Sequence, residues 1–594
     1  MISVENYLFI ELCDLHDGSN IDGEHHNING KNKVLRFKYG NICPISIKDS
    51  KDSTVIIIGH PSFNGKIDAN RFVLDYIKAK EQNMNGFTAS IDGEFLIVDF
   101  NKLSDEITII NSRFASPVVF YAVVQRRFIL STTYALLFKY LLRNKLAKML
   151  PDKAYELLSF RRLFGTDTYD DKSKYLESAS KLSLGSKLKI EQYWVPDIYS
   201  NNSSLNDNAH TLVELLKNSI MYKTSDNKRY GIMQSGGLDT RMILSGFDNT
   251  PHAFNITYEK NREYKIAKKL VDYKNGDFSW IQVKNGQYSD FFDYGTQVTG
   301  GMFQNSSLFY GHRDIIKESS DVLFSGYGLD YFFQGMYLPS KMYSILGESV
   351  PWYKTLGKFN KEMVSYFIEN ISYQTKGFEL DDIMNSGQIS RKNDLIYSSI
   401  KDQFLEAKKY SDDIYDIYEH MSLGNLSRHY TYTGQLSLME LSEYRTISYT
   451  NSILDFYYNL PLKHRFDAKV LRKALYISDK RFFKLASANH GFSAGSSSFE
   501  KSIKHIYKYL PERIGLKEKK RNFERTWLTA EEVLRSELLS RVHGLKKSEI
   551  IDHLNIVDMD KLRKIIGRWD ENKVVGNQSL MMLLSVESFF KQQL

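Results

Sequence analysis

The 594-residue chain is too long for one hydrophobic core, and at roughly 100–200 residues per domain it predicts two to four domains. Its 42% hydrophobic and 25% charged residues exclude global disorder and collagen- or mucin-like architecture. Two cysteines, Cys13 and Cys43, exclude a disulfide framework and a cysteine-rich zinc site and point to a reducing compartment, while a net charge of +8 is too mild to mark a nucleic-acid binder.

The N-terminus, Met1-Ile2-Ser3-Val4, has neither the basic nor the apolar region of a secretory signal, and no run of about 18 apolar residues follows. A cytoplasmic protein without a membrane span is expected. Strand-like runs fill the first 195 residues: Val55-Ile56-Ile57-Ile58, Phe95-Leu96-Ile97-Val98, Ile107-Thr108-Ile109-Ile110, Pro117-Val118-Val119-Phe120-Tyr121 and Arg127-Phe128-Ile129-Leu130. Short β-branched and aromatic runs between Asp, Asn, Gly and Ser predict antiparallel pairs. Residues 134–142 read as an amphipathic helix on a core. Glu191-Gln192-Tyr193-Trp194 closes this part, and the polar stretch 200–208 reads as a linker.

From residue 211 the pattern changes. Leu212, Leu215, Leu216 and Ile220 have helical spacing. Strand-like 230–234, 252–258, 278–283 and 322–324 then alternate with helical 240–245 and 263–273. That alternation predicts a mostly parallel sheet, with ligands beyond the carboxyl ends of its strands. Residues 341–594 read mainly as helices. Within them, residues 501–525 hold nine Lys or Arg against three Glu, a net of +6. The aromatics there are spaced for helix packing rather than base stacking, which argues against nucleic acid and leaves an acidic partner or a solvated face.

Two segments carry chemistry. In Gly231-Ile232-Met233-Gln234-Ser235-Gly236-Gly237-Leu238-Asp239-Thr240, an apolar strand meets a glycine turn and then a helix. Glycines let the backbone turn amides toward an anion, and the helix adds its positive end. Ser235 and Thr240 offer hydroxyls. Asp239 would repel a phosphate but suits a magnesium ion beside a polyphosphate. No Gly-Lys-Ser/Thr follows, so this is not a Walker A loop. Leu323-Phe324-Ser325-Gly326-Tyr327-Gly328-Leu329-Asp330 repeats the grammar and sets Asp330 opposite Asp239. Either loop alone could be an ordinary glycine turn with a helix cap.

Together these segments resemble the synthetase domain of the asparagine synthetase family. Asn85-Gly86-Phe87, Asp92-Gly93-Glu94-Phe95, the stretch Ser112-Arg113-Phe114-Ala115-Ser116-Pro117 and Leu182-Ser183-Leu184-Gly185 resemble its N-terminal domain. Leu441-Ser442-Glu443-Tyr444-Arg445 resembles its Glu-x-Arg helix, and Ile453-Leu454-Asp455, Leu460-Pro461 and Arg465 continue the match. The resemblance covers about residues 85–500. It implies a glutaminase-like antiparallel sandwich of α+β class in residues 1–200. Residues 201–594 would form an α/β parallel-sheet ATP-pyrophosphatase domain, adenine nucleotide α-hydrolase-like, with a helical C-terminal part.

The implied activity is ATP-dependent amide formation. A carboxylate attacks the α-phosphate of ATP, pyrophosphate leaves, and an amine or ammonia displaces AMP. By resemblance, Ser235, Gly236, Gly237, Asp239 and Thr240 hold pyrophosphate, and Asp239 and Asp330 hold Mg2+. Asn255-Ile256-Thr257 with Ser325 and Gly326 line the adenosine, and Glu263 matches an acidic position after the second strand. Tyr327 stands where asparagine-forming enzymes have Glu and β-lactam- and carbapenam-forming relatives have Tyr. Paired with Glu443, it is expected to help deprotonate the amine.

Two departures stand out. No Cys lies at position 2, so glutamine hydrolysis by the usual route is not expected. No lysine lies in the turn at 487–495, where relatives place one before a Gly- and Phe-rich turn, leaving Lys484, Lys501 or Lys504 as candidates. Expected partners are a small-molecule or peptide carboxylate and an amine donor. A homo-oligomer or a pathway partner is compatible with the sequence. The alternative reading is a catalytically impaired nucleotide-binding protein that acts by interaction.

Overall fold

Alternation along the first strand builds the first layer. In the computed structural model, which describes residues 4–15, 21–63, 65–302, 307–345, 348–359, 362–370, 375, 378, 380–424, 428, 431–488, 491–496, 499–503, 506 and 528–593, β1 (Leu8–Asp14) sends Leu8, Ile10 and Leu12 to one side and Phe9 to the other. The next strands are β2 (His26–Asn29), β3 (Lys33–Tyr39), β4 (Ile45–Asp49), β5 (Ser53–Gly59), β6 (Phe95–Asn101) and β7 (Glu106–Asn111). They are followed by β8 (Phe120–Val124), β9 (Arg127–Ser131), β10 (Ser173–Tyr175), β11 (Ser180–Leu184) and β12 (Leu188–Gln192). They form two antiparallel sheets, ordered β10-β8-β9-β1-β3-β2 and β12-β11-β7-β6-β5-β4.

The sheets face each other across a core of Leu8, Ile10 and Leu12 from one and Ile56, Leu96, Val98 and Ile109 from the other. Each outer face takes the alternate residues. Val55, Ile57 and Ile97 pack on Phe72, Val73 and Tyr76 of the helix Ala69–Gln82. Phe120, Ala122 and Ile129 pack toward the helix Tyr134–Arg143. The result is a helix–sheet–sheet–helix stack. A further cover comes from the other end of the chain: in the helix Asn577–Gln593, the Phe589 ring stacks on Tyr134 at 6.1 Å and on Phe138 at 6.0 Å. Strands β1 to β4 carried no diagnostic sequence signal, yet they supply three of the six strands of the first sheet and an edge strand of the second.

The second half is a parallel sheet with helices. Helix α1 (Leu205–Lys223) begins inside the polar stretch, because the Ser204 side chain caps it by accepting from Asp207 N. Strands β13 (Tyr230–Met233), β14 (His252–Thr257), β15 (Phe278–Gln282), β16 (Val322–Phe324) and β17 (Glu443–Tyr444) pair in parallel, ordered β15-β14-β13-β16-β17. Helices α2 (Leu238–Gly246) and α3 (Arg262–Asp272) make the crossovers around β14.

The described residues after 341 are mainly helical, as expected, but an antiparallel hairpin, Ser340–Ile345 with Glu348–Leu356, precedes the helices. One expectation is corrected. Glu443-Tyr444-Arg445 is not on a helix. Glu443 is in register with Val322, and Arg445 N donates to Leu323 O at 3.1 Å, so the backbone is held as an edge strand.

The halves share one buried cluster, which runs from Phe9 and Ile129 through Leu212 and Ile243 to Phe589. Phe114 stacks on Tyr449 at 4.4 Å, and Arg113 pairs with Asp455 at 3.0 Å. Among the described residues no helix is long and apolar enough to cross a membrane.

Candidate functional site

Both glycine loops lie at the carboxyl ends of neighbouring strands, β13 and β16. After Met233 the first loop turns through Gln234, Ser235, Gly236 and Gly237, which is the N-cap of α2. Its hydroxyls hold it: Ser235 Oγ and Thr240 Oγ1 lie 2.8 Å apart, and Thr240 Oγ1 also donates to Ser235 O at 3.1 Å. Arg241, 1% exposed, donates to Gly236 O and to the carbonyls of Phe482, Leu485 and Ala486 at 2.7–3.2 Å. Burial draws its guanidinium down to about 10, with Glu263 opposing. The loop is thereby tied to the turn at 487–495, where a β-carbon on Gly236 would lie 2.8 Å from Ala488 Cβ.

The loop amides read as turned toward an anion already have side-chain partners. Gly236 N donates to Glu263 Oε1 at 2.5 Å, and Gly237 N donates to Ser235 Oγ at 3.1 Å. Asn261 caps α3 through Glu263 N and Tyr264 N and so fixes Glu263 in place. An entering phosphate therefore exchanges with these bonds rather than filling a bare cradle.

The second loop turns at Gly328, whose φ of +92° lies in the left-handed region that glycine adopts without strain. It leads into α4 (Leu329–Phe333). Ser325 Oγ bonds the Tyr444 hydroxyl at 2.5 Å and accepts from Tyr327 N at 3.2 Å.

The two loops bound a cavity of about 280 Å³. Ser235, Asp239, Thr240, Ile256, Ser325, Gly326, Tyr327 and Asp330 line it, and Gly236 and Gly237 form the turn beside them. Asn255 and Ile256 line it too, whereas Thr257 accepts instead from Trp280 Nε1 at 2.8 Å. Among the described residues that line it, the charged ones are all carboxylates: Asp239, Asp330 and Glu263. Burial raises Asp239 above its ordinary range and the Asp330 charge raises it further; burial also raises Asp330. Asp330 Oδ1 is buried with no hydrogen-bond partner among the described residues, and Gln334 Nε2 donates to Asp239 Oδ1 at 2.7 Å. Two mutually repelling carboxylates with a spare oxygen and no counter-charge suit a hard divalent cation that shares oxygens of a phosphate ligand.

Tyr327 is half-buried among the rings of Tyr331, Tyr432 and Tyr449, at centroid distances of 5.5, 6.2 and 6.2 Å. Its hydroxyl lies 3.3 Å from Thr431 Oγ1, and burial pushes its phenol above the ordinary value. Glu443 is not brought to it. Glu443 lies level with Val322, at the opposite end of β16, in an ion network with Arg445, with Lys228 at 2.6 Å and with His60 Nδ1 at 3.5 Å. Burial works against its charge, but His60, Arg445 and Lys228 hold it below the usual carboxylate range. Electrostatics place Glu443 in a structural ion cluster and leave it no role as Tyr327's partner.

Neither of the two described candidate lysines lines the cavity. Lys484 is exposed, Lys501 is buried elsewhere, and Lys504 lies outside the described residues, as do Asn489, His490 and most of the basic stretch. Among the described residues, Arg262 is a cation at the turn, where it donates to Ser487 O at 3.2 Å.

Sequence reasoning missed the far wall. Gly434, Gln435 and Leu438 of α5 (Tyr432–Met439) and Phe309 also line the cavity. These residues carry no motif and arrive only through the fold.

A family model described as asparagine synthase matches residues 211–591. Among solved structures, the chain is similar to one titled as the allosteric regulatory enzyme of purine biosynthesis. They share 7% identity over 48% of this chain and 76% of that one, with a TM-score of 0.21. It is likewise similar to glutamine phosphoribosylpyrophosphate amidotransferase from B. subtilis complexed with ADP and GMP, at 7% identity over the same shares with a TM-score of 0.20. Neither score is high enough to bear on fold or function. No curated protein matches.

Proposed function

Because this chain belongs to the asparagine synthase family, we propose that it is an ATP-dependent amide-forming ligase that adenylates a carboxylate and passes the acyl group to an amine or ammonia. The observation that carries this reading is the pair of glycine loops on adjacent strands, which set Asp239 and Asp330 against one cavity that no cation lines among the described residues. In the first step a carboxylate oxygen attacks the α-phosphorus of ATP, the bond to the bridging oxygen breaks, and pyrophosphate leaves. In the second an amine nitrogen attacks the acyl carbon, the bond from that carbon to the phosphate oxygen breaks, AMP leaves with its electron pair, and the nitrogen gives up its proton to solvent.

Ser235 and Thr240 exchange their mutual hydrogen bond for phosphate oxygens, and Gly237 with α2 points its amide end at the same group. Asp239 and Asp330 would hold Mg2+, which when bound neutralises charge growing on pyrophosphate. Ile256, Ser325 and Gly326 flank the adenosine. Tyr327 stays a protonated phenol and acts as a hydrogen-bond donor and wall, not as a base. The N-terminal sandwich is read as a glutaminase-like domain without the usual nucleophile, so ammonia or a substrate amine is used directly. The acid is a small molecule or a peptide carboxylate.

A second reading, a nucleotide-binding protein that acts by interaction, is favoured by one observation: among the described residues no lysine lines the cavity. Pyrophosphate exchange separates the two. Full-length protein with Mg·ATP and labelled pyrophosphate should exchange in the presence of the correct acid, and Asp330→Asn should not. Mg·ATP binding without exchange for any acid supports the second reading; no Mg·ATP binding defeats both.

A further inference from the structure

The N-terminal half places a carboxylate inside the far wall of the cavity. Glu94, 4% exposed, follows Gly93, whose φ is +91°. A β-carbon on Gly93 would lie 2.3 Å from the hydroxyl of Tyr222 on α1, so this turn is pressed against the C-terminal half. Glu94 Oε1 accepts from Ser116 Oγ at 3.0 Å, Gln435 Nε2 at 3.1 Å and Thr446 Oγ1 at 2.9 Å. Glu94 Oε2 accepts from Thr446 N at 2.7 Å and Lys223 Nζ at 3.5 Å. Four of these five donors belong to the C-terminal half.

The network reaches the cavity by two routes. Gln435, 0% exposed, lines the cavity itself and also donates to Thr446 Oγ1 at 2.8 Å. Tyr432, on the same helix, shares Ser116 Oγ with Glu94 at 3.1 Å and packs its ring on Tyr327. The rotation and depth of α5 are thus held by a side chain from the other half of the molecule. A buried carboxylate with five donors is satisfied only in one arrangement, so it specifies that arrangement strongly.

We propose that Glu94 is a positioning residue for the nucleotide cavity, and that the N-terminal half is kept because it completes this wall through Gln435 and Tyr432. The proposal rests on the reading of the cavity as a nucleotide site. It implies that Glu94 affects nucleotide affinity in protein that is fully folded, which a purely structural residue would not do.

The test uses full-length Glu94→Gln, Gln435→Ala and the double variant, with Mg·ATP affinity measured by calorimetry on protein shown to be folded by its melting curve. Glu94→Gln keeps the volume but turns an amide donor toward Thr446 N or Lys223. Each single variant should bind Mg·ATP about tenfold more weakly, the scale of a lost buried charged hydrogen bond. The double variant should lose no more than the worse single one, because both act on one link. Wild-type affinity in folded Glu94→Gln overturns the proposal, as do additive losses in the double variant. Should Glu94→Gln fail to fold, Gln435→Ala decides alone, and wild-type affinity there overturns the proposal. If the wild-type protein binds no Mg·ATP, the nucleotide reading itself falls and this inference falls with it.

Discussion

The α-carbon of Gly326 rests on the backbone of Thr240: a β-carbon there would lie 2.6 Å from Thr240 N and 2.8 Å from Asp239 Cβ. The two glycine loops are therefore in direct contact, and the separation of Asp239 and Asp330 is set by that contact. Gly326→Ala should push the loops apart. We expect a loss of about 1–3 kcal/mol in stability, typical of overpacking, and a larger loss of Mg·ATP affinity. Calorimetric binding beside a melting curve checks this; unchanged affinity would show that the contact does not set the site.

Asp239 and Asp330 predict a pH-dependent cost. Both carboxyls are raised in the folded protein, by burial first and, at Asp239, then by the neighbouring charge. The folded state then holds protons that the unfolded state releases. Cation-free stability should fall as pH rises from about 4, the ordinary carboxylate value, up through the raised values. Asp239→Asn and Asp330→Asn should melt higher than wild type at pH 8 without divalent ions, on the order of a few degrees, and the gap should close toward pH 4. Magnesium should lift the wild-type melting point and leave the variants nearly unmoved. An equal magnesium response in all three would remove the cation site.

Tyr327 and Glu443 should separate cleanly in mutagenesis. Tyr327→Phe keeps the ring among Tyr331, Tyr432 and Tyr449 and loses only the hydroxyl, so melting should barely change while adenylation slows. Glu443→Gln removes a charge from the cluster with Arg445, Lys228 and His60, but Arg445 keeps Asp226 and Lys228 is partly exposed, so the cost should be about 1–3 kcal/mol, the scale of lost hydrogen bonds to a charged group. Its stability should drop, and activity per folded molecule should persist. The opposite pattern would restore Glu443 to the chemistry.

His60 predicts acid sensitivity. Burial drags its imidazole down to about 3, with Glu443 pulling it up and Arg445, Lys228 and Lys223 adding to the fall. The folded protein keeps it neutral while the unfolded chain protonates near 6.5, so stability is lost as pH falls below that value. At pH 5 the loss attributable to His60 is about 2 kcal/mol. Denaturant curves of wild type and His60→Gln at pH 5 and pH 7 test this: the variant should have the flatter pH dependence.

Much of the site was legible because its parts are local. Ser235-Gly236-Gly237-Leu238-Asp239 and Ser325-Gly326-Tyr327-Gly328-Leu329-Asp330 each carry strand, turn, acid and helix start within a dozen residues, and β-branched runs marked most strands of both halves. The illegible parts are those made by long-range packing. Gln435 and Glu94 meet across 341 positions; Gln435 sits in no motif, and Glu94 sits in Asp92-Gly93-Glu94-Phe95, which marks the N-terminal domain but not a contact with the cavity wall. Glu443 was read as a partner for Tyr327 from its neighbours in sequence, but its strand register carries it to the far end of β16. The glycines were read as turning amides toward an anion, and only the fold brings Glu263 to take the Gly236 amide.

The stacking of Phe589 on Tyr134 and Phe138 bears on how the protein is born. A ribosome releases the first half of the chain well before the last helix, about 450 residues later in synthesis. At about 5–20 residues per second that interval is roughly half a minute to a minute and a half. Throughout it Tyr134 keeps its neighbours Phe120 and Tyr169 but, like Phe138, lacks the Phe589 ring, so this face of the sandwich closes only once the Asn577–Gln593 helix has been made.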